Sequence, residues 1–267
     1  MLRSETHPAA RAAGGFLRDA RERYYILPEQ AAGLLRVSEE SVIAMEAGHH
    51  GLSFEGIRLL CDLYRCSDEA LALSTLAHAP AIPTPADQEG VVRDLLPGHD
   101  RRLAGCTRQA RRVRWLSTVL IPPPLQTAEY ALAVGLPPIE LPGVPLPGPE
   151  QTVFVLDEEV LVRGRITARL MARQLLHLLD VYDGSDIRVV PGRMPMPRSS
   201  GHLVELLMPA GPVLARVDNT GVAYLPDSSL SARIDEIWSL TTPAASRNLL
   251  VRAADDYRHR VGLAGVY

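Results

Sequence analysis

Apolar positions recur at helical spacing from Phe16 to Leu76 and at mixed spacing after Gln151, so the chain divides into two regimes. Phe16, Leu17, Ala20 and Tyr24 fall at i, i+3 and i+4 steps, which predicts an amphipathic helix. Pro28 suits the first turn of a second helix over Glu29–Leu35. Ser38 can cap a third over Glu39–Ala47, with Gly48 as its stop. Ser53 precedes a fourth over Gly56–Tyr64, and Asp68–Leu76 makes a fifth. In the later regime Val153–Leu156, Ile187–Val190, Leu203–Met208, Val213–Val217 and Val222–Leu225 read as strands. Thr167–Leu179, Leu230–Leu240 and Ala244–His259 read as helices. The pattern predicts a mainly α N-terminal domain followed by an α+β C-terminal domain.

Proline and glycine punctuate these regimes. Residues 1–15 are polar and Ala/Gly-rich and read as a flexible N-terminus, with the helical unit at 16–78. Residues 79–100, containing APAIPTPADQEG, read as an extended linker or seam, and the α+β domain fills 101–267. Leu136–Gln151, LPPIELPGVPLPGPEQ, cannot be a regular helix.

Composition narrows the function classes. The apolar fraction of 46% and the absence of any apolar run near ~18 residues fit a soluble protein rather than a membrane one. The first 30 residues carry no export signal, so the expected compartment is the cytoplasm. Cys61, Cys66 and Cys106 lack CxxC spacing, and the histidines never fall in HxxxH or HxEH form, so neither metal nor cofactor is expected. The net charge of −3 offers no global attraction to nucleic acid. All basic residues are arginine, six of them within Arg101–Trp115, a run that reads as a solvated face or as partners for the acidic helical unit.

LRDARE at Leu17–Glu22, QAAGLLRVS at Gln30–Ser38, M-E-x-G at Met45–Gly48 and LSFEGIRLLCDLY at Leu52–Tyr64 resemble the helix-turn-helix of XRE-type (lambda repressor/Cro-like) regulators. IPPPLQTAEYALAV, VLDEEVLVR, LMARQLLHLLD, IRVVP and AASRNLL, in that order, resemble the domain of unknown function that follows this helix-turn-helix in actinobacterial, WhiJ-like regulators. The resemblance implies DNA binding by the first domain, sensing of a small-molecule ligand or small partner protein by the second, and a homodimer on a palindromic site.

The outward residues of the third helix sit uneasily with that implication. Val42 and Met45 are spaced to face the core, leaving Glu39, Glu40, Ile43 and Ala44 toward a DNA groove. The family has Gln, Ser or Thr at the first two of these positions, then Ser and Arg. Two carboxylates repel phosphate, and glutamate reads only a cytosine amino group. Pro28 stands where the family has Gln, and Arg36 where it has the turn Gly. Met1–Ala70 holds 8 Arg against 11 Asp plus Glu. Any retained DNA contact would fall to Arg18, Arg21, Ser41, His49, His50 and Arg58, so whether DNA is bound stays open.

Leu125, Met194, Met196, His202, Leu206, Met208 and Leu214 are the candidate ligand-binding residues of an apolar site with few polar handles, or equally plain core. Three function classes follow. The first is a regulator with weakened or altered DNA contact. The second is a regulator fold reused as a small-molecule binder or cofactor-free cyclase or isomerase of natural-product biosynthesis, with Asp218, Glu205 and Tyr224 as acid/base groups. The third is an antitoxin-like partner-binding protein.

Overall fold

A computed structural model describes residues 7–49, 51–78, 90–135, 148, 151–162, 166–181, 186–194, 196, 201–226 and 229–264. Its helical first region comprises α1 (Pro8–Arg23), α2 (Pro28–Leu35), α3 (Glu39–Glu46), α4 (Phe54–Leu63) and α5 (Ala70–Ala77). There follow β1 (Val92–Asp94), α6 (His99–Arg108), β2 (Arg112–Ser117), α7 (Ala128–Ala133), β3 (Gln151–Asp157), α8 (Glu158–Val162) and α9 (Ala168–Val181). The chain continues through β4 (Asp186–Val190), β5 (His202–Met208), β6 (Gly211–Asp218), β7 (Gly221–Leu225), α10 (Ser229–Leu240) and α11 (Pro243–Ala264). The strands form one seven-stranded sheet in the order β1-β7-β6-β5-β2-β3-β4. It is mixed: β6 and β7 pair antiparallel with Ala215 opposite Tyr224, whereas β3 and β4 pair parallel with Phe154 opposite Ile187. A parallel pair needs a crossover, and α8 and α9 supply it.

Two compact units emerge from the contacts: 1–113 with 139–151 and 205–227, and 114–138 with 152–204 and 228–267. In the first, α1 is the central helix, packing on α3, α5 and α6 and on β6 and β7. Its small residues, Ala9, Ala10, Ala12, Ala13, Gly14 and Gly15, are all buried. A methyl group added at Gly14 would overlap the carbonyl oxygen of Glu46, so this glycine sets how closely α1 approaches the end of α3. The helix starts far earlier than its composition suggests. Pro8 provides the fixed φ of a first turn, and His7 Nδ1 accepts the Ala9 amide at 3.0 Å. That leaves the ring proton on Nε2, which donates to the Gly90 carbonyl at 2.8 Å. Residues 8–15, expected to be flexible, are therefore helical and mostly buried.

The arginines of α6 are drawn to carboxylates within the same unit. Arg102 is fully buried between Asp94 of β1, 2.6 Å away, and Glu69. Arg108 bonds Asp19 with both Nε and Nη2 at 2.8 Å, and Arg101 reaches Asp68 at 3.0 Å. The expectation that the run partners the acidic helices holds at these three positions. The run itself is not one helix: it breaks at Ala110 and re-enters as β2. β1 and the start of α6 also lie inside the stretch expected to be linker, whose residues 79–89 are outside the described set.

In the second unit α11 packs on α9, α8 and β4, and Ser246 Oγ of α11 accepts the Val189 amide of β4 at 3.0 Å. Gln174 of α9 is buried and clamps the Pro-rich turn, donating to Leu125 O and accepting from the Thr127 amide, both at 2.7 Å. A buried amide satisfied on both sides rigidifies that turn.

Gly14→Ala gains helix propensity of ~1 kcal/mol but must push α1 off α3, so a net loss of about 1–2 kcal/mol is expected in urea unfolding. Gly33→Ala, in α2 with nothing within 4 Å of the added methyl, is expected to stabilise by up to ~1 kcal/mol instead. Equal effects of the two changes would contradict the proposed role of Gly14.

Candidate functional site

The structure builds α3 from the features that predict it. Ser38 caps it, its hydroxyl accepting the Ser41 amide at 3.2 Å. Arg36, where the family has glycine, adopts the left-handed conformation at φ 57°. That position costs a side-chain-bearing residue energy which glycine avoids. Val42 is fully buried, and Met45, expected to share the core with it, is only half-buried. The second inward anchor, one turn after Val42, is instead Glu46. Its carboxylate takes a two-pronged ion pair from Arg21 of α1, at 2.7 and 2.9 Å, and the Tyr64 hydroxyl donates to it at 3.0 Å. Burial and the adjacent Glu46 push the Tyr64 phenol well above its usual range, so it stays a neutral donor.

The outer face carries Glu39 and Glu40, both exposed, together with Ile43, 53% exposed, and half-buried Ala44. The Glu40 carboxyl is held below the ordinary carboxylate range by its own backbone N–H and the Ser38 hydroxyl, so it is charged at neutral pH. The surrounding DNA-contact candidates are mostly committed elsewhere. Arg21 spends all three nitrogens on Glu46 and the Ile26 carbonyl. Arg58 is bracketed by Glu55 at 2.6 Å and Asp62 at 3.2 Å. The Ser41 hydroxyl bonds Ser38 at 3.1 Å. Arg18 pairs with Glu22 at 2.8 Å through Nε, with its side chain 44% exposed. His49 is exposed, and His50 lies outside the described residues.

Beside this face lies a cavity of about 380 Å³. Ile43 and Glu46 of α3 with Ala47 just past it form one wall, Arg11, Arg18 and Arg21 of α1 another, and Met208, Pro209 and Ala210 at the β5–β6 turn a third. Met208 is the member of the expected ligand set that lines it. Leu206 and Leu214 are buried in the same compact unit. Leu125 and His202 are buried, and Met194 and Met196 half-buried, in the other unit. Sequence reasoning missed Arg11, Gln109, Pro209 and Ala210. The Met-Pro-Ala-Gly turn signals a hairpin, but nothing local says which helix it faces.

The acid/base candidates do not converge. Asp218 pairs with Gly221 while Tyr224 pairs with Ala215. Asp218 is an odd number of residues from Ala215, so its side chain projects from the opposite sheet face to Tyr224. Thr220 donates to Asp218 through both amide and hydroxyl, holding its carboxyl below the usual range against the opposing effect of partial burial. Burial raises the Tyr224 phenol well above 10.0. Glu205 is buried on β5. Among the described residues no group of three or more His, Cys, Asp or Glu could hold a metal ion, and no helix is long and apolar enough to cross a membrane.

His202 has a defined environment instead. It is buried, its Nδ1 lies 2.7 Å from the Ser117 hydroxyl, and Trp115 meets its ring edge-on at 5.8 Å. Burial lowers its pKa to about 4.

The helical arrangement is that of a helix-turn-helix protein of the DNA-binding regulator type, and residues 12–73 match a helix-turn-helix domain family. Residues 100–249, more than half the chain, match a domain of unknown function, DUF5753, and the chain belongs to that family. No curated protein and no solved structure matches it.

Two stability predictions follow from these contacts. Glu46→Gln leaves the Arg21 charge buried against an amide and is expected to cost about 3–5 kcal/mol, part of which Arg21→Met restores in the double variant. If the single variant unfolds at the wild-type urea midpoint, the pair is not what anchors α3. For His202 the folded pKa of about 4 lies below the unfolded value, so the unfolded chain binds the extra proton first. Stability is therefore full above pH ~6.5 and falls as pH drops toward 4, by at most ~3 kcal/mol from this residue. His202→Gln should flatten that slope in pH-dependent unfolding, and an unchanged slope would assign it to other groups.

Proposed function

We propose that this chain is a regulator-type protein of XRE and WhiJ-like ancestry with weakened sequence-specific DNA contact, and that it responds to a small molecule or small partner protein. The observation that carries the reading is the outer face of α3: two exposed glutamates and an isoleucine where a base-reading helix presents amide and guanidinium groups. Two of the three candidate guanidinium groups do not compensate, because Arg21 and Arg58 are closed into ion pairs with Glu46, Glu55 and Asp62. Retained folding of α3 supports a scaffold kept for a purpose other than base readout. The cavity along the same helix supports sensing of a small molecule.

Fluorescence anisotropy with labelled duplexes from upstream of the coding sequence and of random sequence, at salt from about 50 to 200 mM, tests this. The expected result is weak binding that is lost as salt rises and does not favour the upstream duplex. Glu39→Gln with Ala44→Arg is expected to tighten binding at every salt concentration. A tight wild-type complex selective for one duplex at the higher salt would overturn the weakened-contact reading.

A further inference from the structure

We infer that the cavity between α1, α3 and the β5–β6 turn binds a small organic monocarboxylate with an apolar body, its carboxylate on Arg18. The volume of about 380 Å³ lies in the range of small-molecule sites. Ile43, Ala47, Met208, Pro209 and Ala210 give it apolar walls suited to an aliphatic or aromatic body rather than to an inorganic anion.

The charge of the lining selects the polar end. Both carboxylates are already satisfied: Glu46 by Arg21 and Tyr64, Glu22 by Arg18 on one oxygen and by the Gln109 amide at 2.8 Å on the other. No acid is left to hold an amine. Among the cations Arg21 is neutralised by Glu46, and Arg11 donates Nη1 to the Pro212 carbonyl at 3.0 Å. Arg18 uses only Nε, on Glu22, so both terminal nitrogens remain without a described partner. That end of a guanidinium matches the two oxygens of a carboxylate. Its pairing with Glu22 through Nε fixes the side chain beforehand, which reduces the entropy lost on binding.

Ile43 of α3 and Ala47, its C-cap, wall the cavity, so a bound ligand covers part of the surface a duplex would approach. This consequence for DNA rests on the regulator reading above, whereas the ligand site stands on the cavity alone.

Octanoate, octanol and octylamine, titrated by calorimetry into the full chain without DNA, share a body and differ in charge. Octanoate is expected to bind saturably and about tenfold more tightly than octanol, the worth of one charge-assisted hydrogen bond, with octylamine weaker still. Arg18→Gln should abolish the preference for octanoate over octanol. Ala210→Trp, which fills the cavity from the turn, should abolish binding of both while thermal unfolding stays cooperative. Octanol or octylamine binding as tightly as octanoate, preference surviving in Arg18→Gln, or no saturable octanoate binding at millimolar concentration would each overturn the site. Because the duplex titration above contains no octanoate, failure of the DNA reading and failure of the ligand site are seen separately.

Discussion

The buried pair between Arg21 and Glu46 is the interaction on which the helical unit turns. One carboxylate receives two guanidinium bonds and a phenol donor, and so joins α1, α3 and the end of α4 at one point. Such a pair adds little net stability over a packed apolar substitute, but losing one partner strands a charge, so it enforces a single geometry. The geometry matters because Gly14 has α1 almost against the carbonyls of the last turn of α3. The ion pair and the glycine together leave α3 one way to lie. The same logic repeats at Asp19 with Arg23 and Arg108, and at Arg102 with Asp94 and Glu69. At these positions arginine is used as an internal clamp, its planar fork matched to carboxylates.

That use of arginine holds the helix-turn-helix fold together from within. Of the cations near α3, Arg21 faces inward onto Glu46 and Arg58 is closed by Glu55 and Asp62, whereas Arg18 is held by Glu22 through Nε alone. Glu39 and Glu40 favour the helix, because carboxylates in a first turn interact well with the macrodipole and the exposed amides. The same charges oppose a polyanion. Folding and DNA reading make contrary demands on that first turn, and in this chain the folding demand is the one met.

Most of the architecture was legible as pattern. β3, α9, β4, β5, β6, β7, α10 and α11 begin or end within a few residues of the runs that predict them, because a buried face imposes its period directly on the chain. β1 and β2 were not legible. Val92–Asp94 is too short to show alternation, and Arg112–Ser117 carries two arginines, of which Arg114 is made tolerable in a buried strand by pairing with the distant Asp235. The start of α1 was obscured by a low-complexity Ala/Gly run, which composition reads as flexible and packing uses as a place for neighbours to come close. Of the candidate site, the acidic and apolar outer face of α3 could be seen in its residue types. The loss of Arg21 to Glu46 could not, since the pairing joins positions on different helices. The cavity was hidden for the same reason: Met208 was visible as an apolar residue, but its meeting with α1 is a tertiary fact.

The eight residues of α3 thus divide their labour by direction. Val42 and Glu46 point inward and are held by packing and by a buried ion pair, so they cannot drift without unfolding the unit. Glu39, Glu40 and Ile43 point outward and bear no load in the core, so they are free to change with function. Ala47, just past the helix, and Ile43 are where these two sets meet, since both line the cavity beside the rigid Glu46 anchor. A molecule held there would be read by a surface that the core fixes. Responsiveness can therefore be gained at this position with few changes to the interior, which is the physical reason a helix with so little groove chemistry can persist intact.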